Sequence, residues 1–76
     1  MNKQRRKALE EIKERLDSLK SEIETLMNEE QDYYDNMPVS FQDGEKGEKA
    51  EEAIDALDSA MNSIDEAIEN IETACE

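Results

Sequence analysis

The sequence predicts an all-α protein, a two-helix antiparallel hairpin that assembles into a homo-oligomeric helical bundle. Two long segments carry apolar residues at helical spacing, and a short segment between them holds the only proline and both glycines. The second long segment repeats every seven residues, as EEAIDAL, DSAMNSI and DEAIENI, with alanine at positions 53, 60, 67 and 74. A seven-residue repeat keeps one stripe of side chains against a neighbouring helix over several turns, so helix packing on helix is expected.

The N-terminal helix is expected at about residues 2–34. Its apolar side chains follow one another mostly at alternating steps of three and four residues, which is the narrow seam of a coiled coil. They are Leu9, Ile12, Leu16, Leu19, Ile23, Leu26 and Tyr33. Basic residues flank this seam, namely Arg6, Lys13, Arg15 and Lys20. Since exposed ion pairs contribute little to stability, these charges are expected to select orientation and partner.

A connecting loop is expected at about residues 35–44. Pro38 lacks a backbone donor and disfavours helix at the residue before it, so the N-terminal helix should stop just ahead of it. Ser40 followed by Asp43 resembles a capping box, which predicts one helical turn at residues 40–43. The second long helix then begins.

The C-terminal helix is expected at about residues 45–75. With Ala50 at heptad position a, apolar residues occupy positions a, d and e, which gives a broader face than the first helix presents. The residues predicted to form the oligomer interface are Ala53, Ile54, Leu57, Ala60, Met61, Ile64, Ala67, Ile68 and Ile71. A narrow stripe paired with a broad one leaves part of the C-terminal helix uncovered. We therefore expect a second copy to bury that part.

Length and composition limit the class of protein. A chain of 76 residues allows a single domain, residues 1–76, whose core is too small to supply much stability alone. The net charge is −13 and histidine is absent, so neither direct binding of duplex nucleic acid nor a metal or cofactor site is expected. No apolar run is long enough to span a bilayer and no signal peptide is recognisable, which predicts a cytoplasmic protein with no membrane partner.

The sequence offers little catalytic chemistry. The serines have no histidine to activate them, and Cys75, the only thiol, has no basic neighbour in the sequence. Carboxylates recur at a spacing of three residues, at Glu45, Glu48 and Glu51 and at Glu52 and Asp55. This pattern is similar to the magnesium-binding carboxylates of all-α nucleotide pyrophosphohydrolases, but that family directs its acids into the bundle, whereas these fall on outward heptad positions. We therefore expect no enzyme and keep that activity as a remote alternative.

Two interpretations of the connecting segment stay open. In the first, Tyr33, Met37, Val39 and Phe41 fold back as a hydrophobic plug over the end of the hairpin. In the second, aromatic faces and polar groups form a pocket that stacks a nucleotide base and hydrogen-bonds its edge. The candidate ligand-binding residues are Tyr33, Tyr34, Asn36, Ser40, Phe41, Gln42, Lys46 and Lys49.

Acidic residues form a ridge along the C-terminal helix at heptad positions b and f. They are Glu51, Asp55, Asp58, Asp65, Glu69, Glu72 and Glu76. Their rise along the axis is similar in scale to the spacing of phosphates on one DNA strand, so the ridge could occupy the basic channel of a nucleic-acid-binding protein. The alternative is a solvated face that keeps an oligomer soluble.

The stretch YYDNMPVSFQDGEKGEKAEEAIDALDSA resembles a group of small, acidic, uncharacterised helical proteins carried by prophages and mobile elements of gut bacteria. The resemblance covers roughly residues 29–72 and implies no catalytic residue. It implies a phage or mobile-element accessory protein in the bacterial cytoplasm that binds and neutralises a defence component. The partner would be a defence protein or a nucleotide signalling molecule. A structural coiled-coil adaptor that captures a partner helix is the alternative.

Overall fold

The computed structural model describes all 76 residues, which form three helices and no strand. Helix α1 spans Lys3–Asp35, the single turn α2 spans Val39–Gln42, and α3 spans Glu45–Cys75. Helices α1 and α3 run antiparallel and give a rod of 58 × 15 × 12 Å. The prediction of an all-α protein is therefore confirmed. None of the helices combines the length and the apolar character that crossing a membrane requires.

Side-chain caps explain where α1 begins and ends. The Asn2 side chain accepts a 2.8 Å hydrogen bond from the Arg5 backbone N–H at the start of α1. At the other end the Asn36 side chain donates to the Asp32 carbonyl at 2.8 Å. Both long helices lie within about one residue of their expected bounds.

The short turn corrects one expectation. We expected it at residues 40–43 with Ser40 as its cap, but α2 begins one residue earlier and Pro38 occupies the N-cap position. No side chain caps it, and Asp43 lies at its C-terminal end. The fixed φ of proline explains the shift, because it suits Pro38 to the position just before the turn. The Pro38 carbonyl then accepts hydrogen bonds from the N–H groups of Phe41 and Gln42.

Three polar pairs connect α1 to α3 along one edge of the hairpin, which we call the paired edge. They are Lys13 with Glu72 (3.7 Å), Lys20 with Asp65 (2.7 Å) and Tyr34 with Glu51 (2.7 Å). Steps of 7 and 14 residues along α1 are matched by equal steps back along α3. The two helices therefore keep a single register over most of the rod.

Helix α1 divides its apolar seam between two columns. The inner column packs towards α3 and is partly buried; its members are Leu9, Leu16 and Ile23. The outer column lies on the edge opposite the paired edge, as the helical repeat requires; its members are Ile12, Leu19, Leu26 and Tyr33. Leu19, Leu26 and Tyr33 keep 50%, 56% and 52% of their surface exposed. Helix α3 therefore covers the inner column better than the outer one, in which only Ile12 is as buried as the inner residues.

Helix α3 buries its apolar face more evenly. Gly47 and Ala50 are the only fully buried residues of the chain, and every residue of the predicted oligomer interface is partly buried. The most exposed large apolar side chains of the two long helices lie on α1. This corrects the expectation that the uncovered surface would lie on the C-terminal helix. The broad face of α3 covers the inner column of α1, whereas the outer column lies beyond its reach.

Candidate functional site

The end of the hairpin is held by a small network centred on Tyr34. The Tyr34 hydroxyl donates to a Glu51 carboxylate oxygen on α3 at 2.7 Å. The Tyr34 carbonyl accepts from the Gln42 side-chain amide at 3.0 Å and from the Met37 N–H at 3.1 Å. The hydrogen bond to Glu51, with lesser contributions from burial and nearby acids, raises the pKa of Tyr34 above its usual value. One residue thus connects all three helices.

A close backbone contact completes this arrangement. A Cβ atom placed on Gly47 would lie 2.0 Å from the Gln42 carbonyl oxygen and 2.5 Å from its carbonyl carbon. Only glycine leaves room for the start of α3 to pass this closely under α2. The absence of a side chain at Gly47 therefore lets the backbone of Gln42 lie against α3, and from there the Gln42 side chain reaches the end of α1.

Some of the candidate ligand-binding residues line a shallow depression at the turn, which does not include Tyr34 or Gln42. Its volume is about 420 Å³, and its lining residues are Tyr33, Asn36, Met37, Pro38, Phe41 and Lys46. The Lys46 ammonium lies 5.4 Å from the centre of the Phe41 ring, within the range of a cation–π contact. Tyr33 and Phe41 are each about half exposed. Two aromatic faces, an amide and a cation therefore share one open surface.

The remaining candidate ligand-binding residues lie elsewhere. Tyr34 and Gln42 belong to the network that holds the turn, and Lys49 pairs with Glu45 at 3.4 Å within α3. Ser40 is exposed and lies outside the depression. The structure thus brings four of the eight candidates together.

The hydrophobic plug also needs correction. Val39 is 71% exposed, and Tyr33 and Phe41 are about half exposed, so these side chains do not close the end of the hairpin. Only Met37 of the four is partly buried. The polar network around Tyr34, together with the close passage at Gly47, holds the turn instead. Periodicity could not reveal it, because its contacts join residues 8 to 17 positions apart.

The acidic ridge is divided between two surfaces. Glu51, Asp65 and Glu72 were expected to point away from the other helix, but each contacts α1 on the paired edge. The hydrogen bond from Lys20 to Asp65 raises the pKa of Lys20 above its usual value, with smaller contributions from the charges of Asp65 and neighbouring acids and an opposing one from burial. The ridge residues without a polar contact to α1 are Asp55, Asp58, Glu69 and Glu76, and all four are exposed.

The surface that sequence reasoning missed is the outer column. A groove of about 710 Å³ runs beside it on α1, lined by Ala8, Glu11, Ile12, Glu14, Arg15, Ser18 and Leu19. All of these residues belong to α1, so α3 does not cover the groove. The two-column seam was visible in the sequence, but spacing alone does not state which column a partner covers.

No group of three or more cysteine, aspartate or glutamate side chains is arranged to hold a metal ion, and the Cys75 thiol is free and partly buried. Comparison of the chain with protein families, with curated proteins and with solved structures found no match.

Proposed function

We propose that this protein is a non-enzymatic helical binding protein that acts as a homo-oligomer assembled through the outer column. The observation that carries the proposal is the half exposure of Leu19, Leu26 and Tyr33 in a chain with only two fully buried residues. These side chains recur every seven residues on one face of α1, and a row of exposed apolar side chains on a small protein favours a site of interaction. A single hairpin has almost no sealed core, so burial by another helix is the available source of stability.

The surface area supports the same proposal. A compact monomer of 8.7 kDa exposes roughly 4,700 Å² by the usual scaling of surface with mass. This chain exposes 5801 Å². The excess of roughly 1,100 Å² is comparable with the about 800 Å² that each partner buries in a standard interface. An interface of standard size with one additional copy would therefore bury about as much surface as this excess.

For the biological role we propose a phage or mobile-element accessory protein that binds and neutralises a bacterial defence component in the host cytoplasm. The resemblance of residues 29–72 to proteins of that setting supports this context. In a dimer joined through the outer column, the exposed acids of α3 would stay accessible to a basic partner protein. With Glu51, Asp65 and Glu72 engaged by α1, four of the seven ridge carboxylates are left without a polar contact to α1, at uneven spacing, which disfavours mimicry of a DNA strand.

A second candidate is the capture of a nucleotide signal in the depression at the turn. Tyr33 and Phe41 offer faces for stacking, and Lys46 offers a positive charge for a phosphate. A nucleotide that binds there should raise the melting temperature of the protein. Phe41→Ala should abolish that increase, whereas Val39→Ala, at an exposed apolar side chain outside the depression, should preserve it. A screen of mono- and cyclic nucleotides that gives no increase would exclude this candidate.

The main proposal is tested with Leu26→Ser and a matched control. An oligomer melts at a temperature that rises with protein concentration, because dilution favours separate chains. We expect this dependence in the natural protein and in Val39→Ser, which removes an exposed apolar side chain outside the column. Leu26→Ser should weaken association at least about tenfold, since tenfold corresponds to about 1.4 kcal/mol and a dimer loses two leucines, each with about half of its surface left to bury. Equal behaviour of the two variants would contradict the proposal.

The alternative adaptor function assigns the outer column to a different partner, the helix of another protein. If the outer column captures the helix of another protein, the isolated chain stays monomeric and its melting temperature does not depend on its concentration. The concentration series therefore separates the two functions without knowledge of the partner.

A further inference from the structure

We infer that the outer column is covered by the outer column of a second copy that runs antiparallel to it, so that two α1 helices lie at the centre of a dimer. This inference rests on the homo-oligomer proposed above. It specifies which surface of the second copy covers the outer column and in which direction the second α1 runs. The exposed surface of Leu19, Leu26 and Tyr33 supplies the apolar contact, and the charge of α1 supplies the direction.

Helix α1 is strongly polarised along its length. Residues 3–20 carry seven basic and four acidic side chains, whereas residues 21–35 carry six acidic and no basic ones. A parallel pair of α1 helices would place basic beside basic and acidic beside acidic. An antiparallel pair places the basic half of each helix beside the acidic half of the other. Charge complementarity of this kind sets orientation even where each pair contributes little energy.

The spacing of the column fits an antiparallel pair centred between Leu19 and Leu26. Leu19 of one copy then lies opposite Leu26 of the other, and Ile12 lies opposite Tyr33. Arg15 and Glu29 occupy the same heptad position beside the column, 14 residues apart, so Arg15 of each copy meets Glu29 of the other. Glu22 lies at the midpoint and faces its own counterpart. Two attractive pairs thus outnumber one repulsive pair.

The competing partner surface is α3 of the second copy. Its alanine column is adjacent to the outer column on the same edge and is partly buried except at Ala74. However, residues 45–75 carry ten acidic and two basic side chains, and acids occur along the whole helix. The acidic half of α1 would then face acidic residues wherever it was placed. The basic half of another α1 is the complementary surface that the chain contains.

Single cysteines and a short bis-maleimide crosslinker test the arrangement. In a Cys75→Ser background, light scattering first establishes that the protein is a dimer. In the Glu22→Cys variant, the two copies of the dimer should then be crosslinked to each other through this position. Arg15→Cys and Glu29→Cys should each fail to crosslink alone and should give a crosslinked heterodimer when the two proteins are mixed. Circular dichroism of each variant checks that the helices are retained.

Three results would overturn the inference, and they point to different errors. Self-crosslinking of both Arg15→Cys and Glu29→Cys would show a parallel dimer. Crosslinking of Glu22→Cys to a chain with Ser63→Cys, which lies at the same level on α3, without crosslinking to itself, would show that α3 covers the column. A monomer in the light-scattering step would contradict the proposed homo-oligomer itself, and with it the antiparallel pairing of two α1 helices.

Discussion

The Tyr34 hydroxyl lies 2.7 Å from the Glu51 carboxylate and donates a hydrogen bond that spans α1 and α3 next to the turn. The same residue accepts the Gln42 amide through its backbone carbonyl at 3.0 Å. Because the turn contains no well-buried apolar side chain, these polar contacts carry much of the local order. Tyr34 is therefore a structural residue, and its neighbour Tyr33 is free for contact with a ligand or a second chain.

Substitution of the two tyrosines separates these roles. Tyr34→Phe removes the hydroxyl and leaves the Glu51 carboxylate without this partner, so we expect the melting temperature to fall by a few degrees. Tyr33→Phe removes a hydroxyl that makes no hydrogen bond within the chain and should leave the melting temperature unchanged. Thermal denaturation followed by circular dichroism measures both. Equal melting temperatures for Tyr34→Phe and the natural protein would contradict the structural role.

Two cross-helix contacts predict alkaline instability. The folded-state pKa values of Lys20 and Tyr34 both lie above their usual values of 10.5 and 10.0. A group whose pKa is raised by folding binds its proton more tightly in the folded protein. Its contribution to the free energy of unfolding is therefore complete below the usual pKa and is lost as the pH rises through the folded-state pKa. The melting temperature should therefore fall as the pH rises above about 10.

The double variant Lys20→Met/Tyr34→Phe is the control for that fall. It removes both groups, so its melting temperature should decline less between pH 9 and 11.5 than that of the natural protein. All other side chains are the same in the two proteins, so their effects cancel in the comparison. An identical decline in the two proteins would show that these contacts are not responsible.

Gly47 provides a test of the close passage between α2 and α3. Gly47→Ala would place a methyl group 2.0 Å from the Gln42 carbonyl oxygen, so the backbone must move, and a loss of about 1–3 kcal/mol in the free energy of unfolding is expected. Alanine favours helix over glycine, which would stabilise an unhindered site. Gly44→Ala, whose methyl group would lie 3.4 Å from the Ser40 carbonyl oxygen, is the matched control.

The expected loss for Gly44→Ala is smaller, at most about 1 kcal/mol, and arises from the weaker N-cap preference of alanine. Urea denaturation of both variants measures the difference. If Gly47→Ala is as stable as the natural protein, the close contact with Gln42 is not a constraint on the turn.

A charge exchange tests the flanking pairs of the antiparallel dimer without cysteines. Arg15→Glu should weaken the dimer several-fold, because an acid would then face Glu29 of the other copy. The double variant Arg15→Glu/Glu29→Arg should recover most of the loss, since the pair is restored with its charges reversed. Sedimentation at low ionic strength measures the dissociation constants, and high salt should reduce the differences. No recovery in the double variant would count against this register.

The two long helices were predictable because sustained apolar periodicity fixes both the type of element and its approximate ends. The rotation of α1 about its own axis was not predictable. Leu16 and Leu19 belong to one stripe. The contacts of Lys13, Lys20 and Tyr34 with α3 show that the edge of α1 opposite Leu19 is the one that faces α3, so Leu19 stays half exposed.

At the turn, composition identified the segment where aromatic and polar residues gather. It could not separate the side chains that hold the turn from those that face solvent. That distinction depends on Gln42 reaching back to the end of α1 and on the absence of a Cβ atom at Gly47. Both are contacts between elements, and neither has a signature in local spacing.

The central claim is that the half-exposed outer column of α1 is covered by another copy of the chain. Light scattering of the purified natural protein at micromolar concentration tests it most directly. We expect a mass of at least twice the 8.7 kDa of one chain. A mass of 8.7 kDa, with α1 and α3 still helical and the melting temperature independent of concentration, would contradict it.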